Sequence, residues 1–235
     1  MPTRRTIAQR IPPVVLATIA WLLAVVLPPA PARAGVIRGV VRVAPAAPAA
    51  TYAPNPYAGH ASALPMGRPL AHGQVTDAIV YVTALDAKAD SVLRRDPSGH
   101  VLAQKNQAFS TRVLACVVGS TVDFPNQDPI FHNVFSVSSI RRFDLGKYPQ
   151  GHSKQITFPK TGVVPVFCDI HPNMACFIVV LPNRAFTQPA ADGSFALPSL
   201  PAGTYTVRIW HPDTDEATRT VHVPATGDVT LDVSL

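Results

Sequence analysis

A thiol, an imidazole and a thioether fall within seven residues of one another at Cys168, His171 and Met174, in the run Phe167-Cys168-Asp169-Ile170-His171-Pro172-Asn173-Met174. Side chains of these types at this spacing can turn onto a single metal ion. A second imidazole lies upstream, His132 in Phe131-His132-Asn133-Val134-Phe135. Two histidines and a cysteine in a trigonal plane, with a methionine as weak axial ligand, form the blue-copper donor set, whose usual task is one-electron transfer. Taken singly, Cys168 reads as a buried, inert thiol and His132 as a core histidine. The four together carry the metal reading.

The elements that must position these ligands have their own signature. Val118-Gly119-Ser120-Thr121-Val122-Asp123-Phe124-Pro125-Asn126-Gln127-Asp128 precedes His132, Phe143-Asp144-Leu145-Gly146 follows it, and Gly162-Val163-Val164-Pro165-Val166-Phe167 leads into Cys168. Over residues 100–183 this succession resembles the cupredoxins, in particular the plastocyanin/amicyanin-like group of methylamine-utilisation-type proteins. The short Cys-x-x-His-Pro-x-Met loop is similar to that of amicyanin. The resemblance implies His132, Cys168 and His171 as equatorial copper ligands and Met174 as the axial one. It implies that Asn133 ties the two ligand-bearing loops together, and that His171, with Pro172 and Met174 nearby, is the port for electrons. Phe124, Phe131, Phe135, Phe167 and Phe177 would form an apolar shell around the metal; they read equally as ordinary sandwich core. One position departs from the family: Asp169 stands where amicyanin and plastocyanin carry an uncharged residue. Its carboxylate would either lower the potential or face solvent.

Other metal chemistries fit less well. Structural zinc prefers four Cys/His ligands and rarely takes a thioether. Oxidase or nitrite-reductase copper sites would bring His-x-His pairs or a histidine directly beside the cysteine, and the chain has neither. The expectation is therefore one type 1 copper in an electron carrier, not an enzyme, serving redox protein partners through weak and transient contacts. A copper-binding or copper-delivery protein without an electron-transfer role would use the same ligands. So would an interaction module whose ligand set is vestigial.

The N-terminus points to export. Arg4, Arg5 and Arg10 precede an apolar stretch from Ile11 to Leu27, and Ala32-Arg33-Ala34 resembles a cleavage site. Residues 1–34 read as a signal peptide, with the twin-arginine route suggested by Thr3-Arg4-Arg5. The apolar stretch has 17 residues and two prolines, short for a membrane anchor. The expected location is periplasmic, with no membrane attachment beyond export, and the expected state is a monomer. The net charge of +6 is also mostly a property of this segment: without Arg4, Arg5, Arg10 and Arg33, 16 basic residues face 14 acidic ones. With no basic run interleaved with aromatics, nucleic-acid binding is not expected.

Short apolar runs bounded by Gly, Pro and Asp predict an all-β chain: a cupredoxin Greek-key β-sandwich plus a second, small β-sandwich. In the second, Asp192-Gly193-Ser194-Phe195-Ala196-Leu197 and Leu200-Pro201-Ala202-Gly203-Thr204-Tyr205 have hairpin chemistry. This stretch resembles the transthyretin-like carboxypeptidase regulatory domain. The opening strands of such a domain resemble residues 35–43 and 77–83. The favoured division is 36–99 and 184–235 for the second sandwich, with the cupredoxin, 100–183, inserted between its halves; the rival division gives the N-terminal strands to the cupredoxin and leaves the C-terminal 50 residues as a small appendage. The Pro/Ala-rich stretch 44–74, with His60, Met66 and His72, reads as a linker. His211 reads as a surface or packing residue. Cys116 and Cys176 lie in adjacent strands by resemblance, and whether they bridge depends on a register that sequence does not set.

Overall fold

Two apolar runs, at 113–118 and 176–181, show no alternation with polar residues, the pattern of strands buried on both faces. The structure, a computed structural model describing residues 34–44, 73–93 and 99–235, carries both runs into the middle of four stacked sheets, where all but the exposed Val118 are buried or half-buried. The chain is all-β; among the described residues, helix is limited to a 3-10 turn at Val75–Asp77 and six residues at Ala87–Val92. None of the described helices is long and apolar enough to cross a membrane. The expected signal segment, apart from Ala34, and His60, Met66 and His72 lie outside the described residues.

The first layer joins Ser153–Thr157, Thr121–Pro125 and His100–Val101. The second runs in the order Phe143–Asp144, Val134–Ser136, Gly162–Cys168, Ala175–Leu181, Val113–Val117; only its last pair is parallel. These two close on a core that includes Phe124, Phe158, Val164, Ile178 and Cys168. The third layer orders Phe186–Thr187, Ile79–Val82, Gly203–Trp210 and Ala217–Val223. The fourth gathers Ser194–Ala196, Val229–Thr230 and Val233–Ser234 around Ile37–Arg42. Ile37, Val80, Val207 and Ile209 belong to the core between these last two layers.

A third core cements the sandwiches face to face. It contains Ile79, Val113, Ala115, Val179 and Leu181, with Phe177 packed edge-on against Trp210 at 5.8 Å. That contact is why residues of both parities are apolar in Val113–Val117 and Ala175–Leu181. The strand Ile37–Arg42 takes all its described partners from 194–196, 229–230 and 233–234, none from 100–183. Gly39 lets the C-terminal segment approach this strand, since a Cβ there would lie 1.9 Å from the Leu231 carbonyl oxygen. His211 is a packing residue: its Nε2 donates to the Gln74 carbonyl at 3.0 Å and its Nδ1 accepts the Asp213 N–H.

Cys116 and Cys176 are free thiols. The parallel register sets Cys116 beside Val180, four residues along from Cys176. That offset is roughly 13 Å at the rise of an extended strand, beyond the span of a disulfide.

Candidate metal centre

The loop spacing follows from a hairpin. Gly162–Cys168 and Ala175–Leu181 pair antiparallel with Phe167 opposite Ala175, so Cys168 ends one strand and Met174 immediately precedes the other. The Cys168 N–H donates to the Met174 carbonyl at 3.1 Å, and the Met174 N–H donates to the His171 carbonyl at 2.9 Å. This closes the loop with His171 at its turn. His132 arrives from a different segment. Val134 pairs with Cys168, and His132, two residues earlier, points to the same face. Its main chain is bracketed by a bridge to Tyr148, with the Tyr148 N–H donating to the His132 carbonyl at 3.0 Å.

Three ligand-type atoms converge. The Cys168 Sγ lies 3.6 Å from His132 Nδ1 and 3.7 Å from His171 Nδ1, and the two Nδ1 atoms are 3.1 Å apart. An ion bonded at about 2.0–2.1 Å to imidazole nitrogens and about 2.3 Å to a thiolate spans ligand separations of about 3.5–3.8 Å in a trigonal plane. The two sulfur–nitrogen distances match that span, and the shorter Nδ1 separation needs only a small opening. Met174 is buried in the same core as Cys168. The donor set thus fits a single ion that accepts soft sulfur ligands.

The electrostatics prepare Cys168 to act as thiolate. Burial pushes its thiol upward, but the His132 imidazole and the N–H groups of Asn133, Ile170 and His171 outweigh it and hold it below the usual thiol range. Burial likewise pushes His132 downward, but Cys168 and Asp128 reverse the shift and raise it. His171 is lowered, by burial and by the neighbouring His132.

The Asn133 carbonyl accepts the Asp169 N–H at 3.0 Å, and its own N–H serves the Cys168 sulfur. Its Oδ1 is buried with no hydrogen-bond partner among the described residues. Asp169 is exposed to solvent. The phenylalanine shell differs from expectation. Of the five, only Phe124 belongs to the buried core around Cys168; Phe135 and Phe167 pack on each other, Phe177 faces Trp210, and Phe131 is 54% exposed. Phe109, Phe143, Phe158 and Tyr148 complete the aromatic core around Cys168 instead. The reason is strand alternation: odd-numbered Phe135, Phe167 and Phe177 point to the opposite face of their sheet from Cys168.

Sequence reading gave no role to Asp128, whose Oδ2 lies 2.9 Å from His132 Nε2 in a nearly closed environment. A carboxylate four residues before a ligating histidine was the available signal.

The three thiols should react very differently. Burial pushes Cys116 up to about 12 and Cys176 well above the ordinary range, while Cys168 is lowered. Because the thiolate is the nucleophile, iodoacetamide at neutral pH is expected to place one adduct, on Cys168, in the folded metal-free protein and three in denaturant. Mass spectrometry reads the count; an adduct on Cys116 or Cys176 of the folded chain would contradict it.

No family model matches the chain, and no curated protein matches it. Solved structures do. The Cu-containing nitrite reductase (NirK) from Thermus scotoductus SA-01 is 29% identical, covering 37% of this chain and 23% of its own, with a TM-score of 0.34. This chain therefore spans less than a quarter of that enzyme's length. A novel purple cupredoxin from Nitrosopumilus maritimus is 22% identical over 34% of this chain and 98% of its own, with a TM-score of 0.32. An oxidized mutant of amicyanin is 23% identical over 36% of this chain and 83% of its own, with a TM-score of 0.34.

Proposed function

We propose that the chain is an exported type 1 copper protein that carries single electrons between redox partners. The observation behind this is the convergence of one cysteine sulfur and two imidazole nitrogens within 3.7 Å of one another. Copper held there would supply a Cu(II)/Cu(I) couple. The protein's part is to hold the donors still. Cys168 and His132 are buried, and His171 is fixed by a closed hairpin loop. A donor set that cannot relax toward the geometry preferred by either oxidation state rearranges little when an electron moves.

His171 is the half-buried member and Ile170 and Phe131, each preceding a ligand histidine, are exposed. Together they offer an apolar contact from which electrons can leave or enter, suited to the small interfaces of transient redox encounters, below about 1,200 Å². The second sandwich, whose described strands lie within 36–99 and 184–235, packs against the side of the copper sandwich through Phe177 and Trp210. Its role would be to hold the copper sandwich and leave the ligand end free. The periplasm, reached through the signal peptide, is the compartment this reading requires.

The test is the visible spectrum of the mature protein with one equivalent of Cu(II), beside Cys168→Ser. An intense thiolate-to-copper band, bleached reversibly by a mild reductant and absent from the variant, is the expected result. Stoichiometric copper without the band would instead indicate a copper-delivery protein, and no bound copper an interaction module.

A further inference from the structure

The imidazole of His132 has two nitrogens, and only Nδ1 faces the Cys168 sulfur. What keeps it so is the acceptor on the far side. An ionised carboxylate can only accept hydrogen bonds, so Asp128 Oδ2, 2.9 Å from Nε2, requires the proton on Nε2 and leaves the Nδ1 lone pair for a metal.

Asp128 is itself held from elsewhere in the chain. The Asn106 N–H donates to its Oδ1 at 2.5 Å and the Gln107 N–H to its Oδ2 at 2.8 Å. These are the two central residues of the tight hairpin between Gln104–Lys105 and Ala108–Phe109, and both have φ of +55°. Left-handed backbone at both central positions is a type I′ turn, normally built from Asn and Gly. Here it carries Asn106 and Gln107, neither of them glycine. This conformation lets two successive amides address the same carboxylate, the arrangement that makes an anion-binding concavity. Asn126 braces the other side: its Oδ1 accepts the Asp128 N–H at 2.9 Å, while its Nδ2 donates to the Ile130 and Tyr148 carbonyls at 2.8 and 3.1 Å. Strain at a non-glycine turn that converges on a ligand's partner is a reason to look for function.

We infer that Asp128, clamped by the left-handed Asn106–Gln107 turn, is a positioning residue of the metal centre that fixes the ligating face of His132 and biases the copper couple toward Cu(II). The inference rests on the copper reading above for its redox half; the orientation of His132 does not depend on it. A fixed negative charge behind the imidazole makes the ring a stronger donor and favours the more highly charged ion. The two amides set the limit, since they share the same carboxylate charge.

Two measurements test this. In the metal-free wild-type protein, nitrogen-15 NMR is expected to show the His132 proton on Nε2, slow to exchange with solvent. A His132 ring with no protected proton on Nε2 would overturn the positioning role whatever metal the site takes. In the copper-loaded protein, Asp128→Asn is expected to keep the thiolate band, to lower copper affinity 10–100-fold, and to shift the oxidised-to-reduced equilibrium at least tenfold toward Cu(I). For a one-electron couple that shift is 59 mV. Asp128→Glu, which keeps the charge, is expected to restore most of it. A role confined to stability would lower the melting temperature of Asp128→Asn and leave the equilibrium within twofold of wild type, which would overturn the redox half. If Asp128→Asn does not fold, the comparison of Asp128→Glu with wild type by the same NMR signal decides: loss of the protected Nε2 proton in a folded protein that keeps its potential would overturn it. A wild-type protein that takes up no copper would refute the proposed function and leave the NMR result standing as the test of Asp128.

Discussion

Replacing Arg112 with alanine is expected to lower the stability of the fold by about 3–5 kcal/mol, the cost of removing one member of a buried ion pair. Arg112 leads into the strand Val113–Val117 of the sandwich that carries Cys168, and its guanidinium reaches across the seam. Nη1 lies 3.0 Å from Asp77 Oδ2 and 2.7 Å from Asp213 Oδ2, and Nη2 lies 2.5 Å from Asp213 Oδ1. The two carboxylates flank strands of the second sandwich, one before Ile79–Val82 and one after Gly203–Trp210. All three side chains are largely buried, so alanine would take the shared guanidinium away from two buried carboxylates. Lysine keeps the charge and loses the two-pronged geometry, and should fall between.

The pH dependence has a definite sign. Burial raises the Asp77 carboxyl above 3.8, and Arg112 only partly offsets it. A raised acid contributes stability that is present below its unfolded pKa of 3.8 and lost as pH rises through its folded value. Without Arg112 the folded value rises further, so the deficit of Arg112→Ala should be largest at neutral pH and shrink toward pH 4. Urea unfolding at the two pH values measures it. A deficit below about 1 kcal/mol at neutral pH, the scale of an exposed pair, would mean that the seam is held by its apolar contacts alone.

The second large effect separates the two histidines. His171→Gly is expected to lose the thiolate-to-copper band and recover it when imidazole is added, whereas His132→Gly is expected to lose it irretrievably. His171 is half-buried on a surface hairpin loop, so the space it vacates opens to solvent and a free imidazole can occupy it. His132 is fully buried between Cys168 and Asp128, and its removal leaves a closed void beside a carboxylate that has lost its donor. Loss of stability therefore accompanies loss of copper only in His132→Gly. Titration of each variant with Cu(II) and imidazole, followed by absorption, distinguishes them. Equal rescue of both would show that His132 is not enclosed as its burial implies.

Some of this was legible in the chain itself. Cys168, His171 and Met174 are a local set: one hairpin loop of fixed length brings them together, and their spacing is that loop written in sequence. The all-β class was legible for the same reason, since strand periodicity and Asp-Gly or Pro-Ala-Gly turns are properties of a few consecutive residues. Even the burial of the central sheet on both faces left a trace in the unbroken apolar runs at 113–118 and 176–181.

The remainder depended on which distant strands pair and in what register. His132 is 36 residues from Cys168 and joins it only because Val134 lies opposite Cys168 in the sheet. One residue of slip would turn the imidazole to the other face. The same register keeps Cys116 and Cys176 apart, and sends Phe135, Phe167 and Phe177 away from the centre that sequence assigned them to. Asp128 was visible as a letter, but its clamp needs amides from residues 106 and 107, and Arg112 needs carboxylates 35 residues upstream and 101 downstream. Local spacing determined which donors this protein could present to a metal. Long-range pairing and collective burial decided how those donors are oriented and what charge stands behind them, because no stretch of chain carries its partner's position within itself.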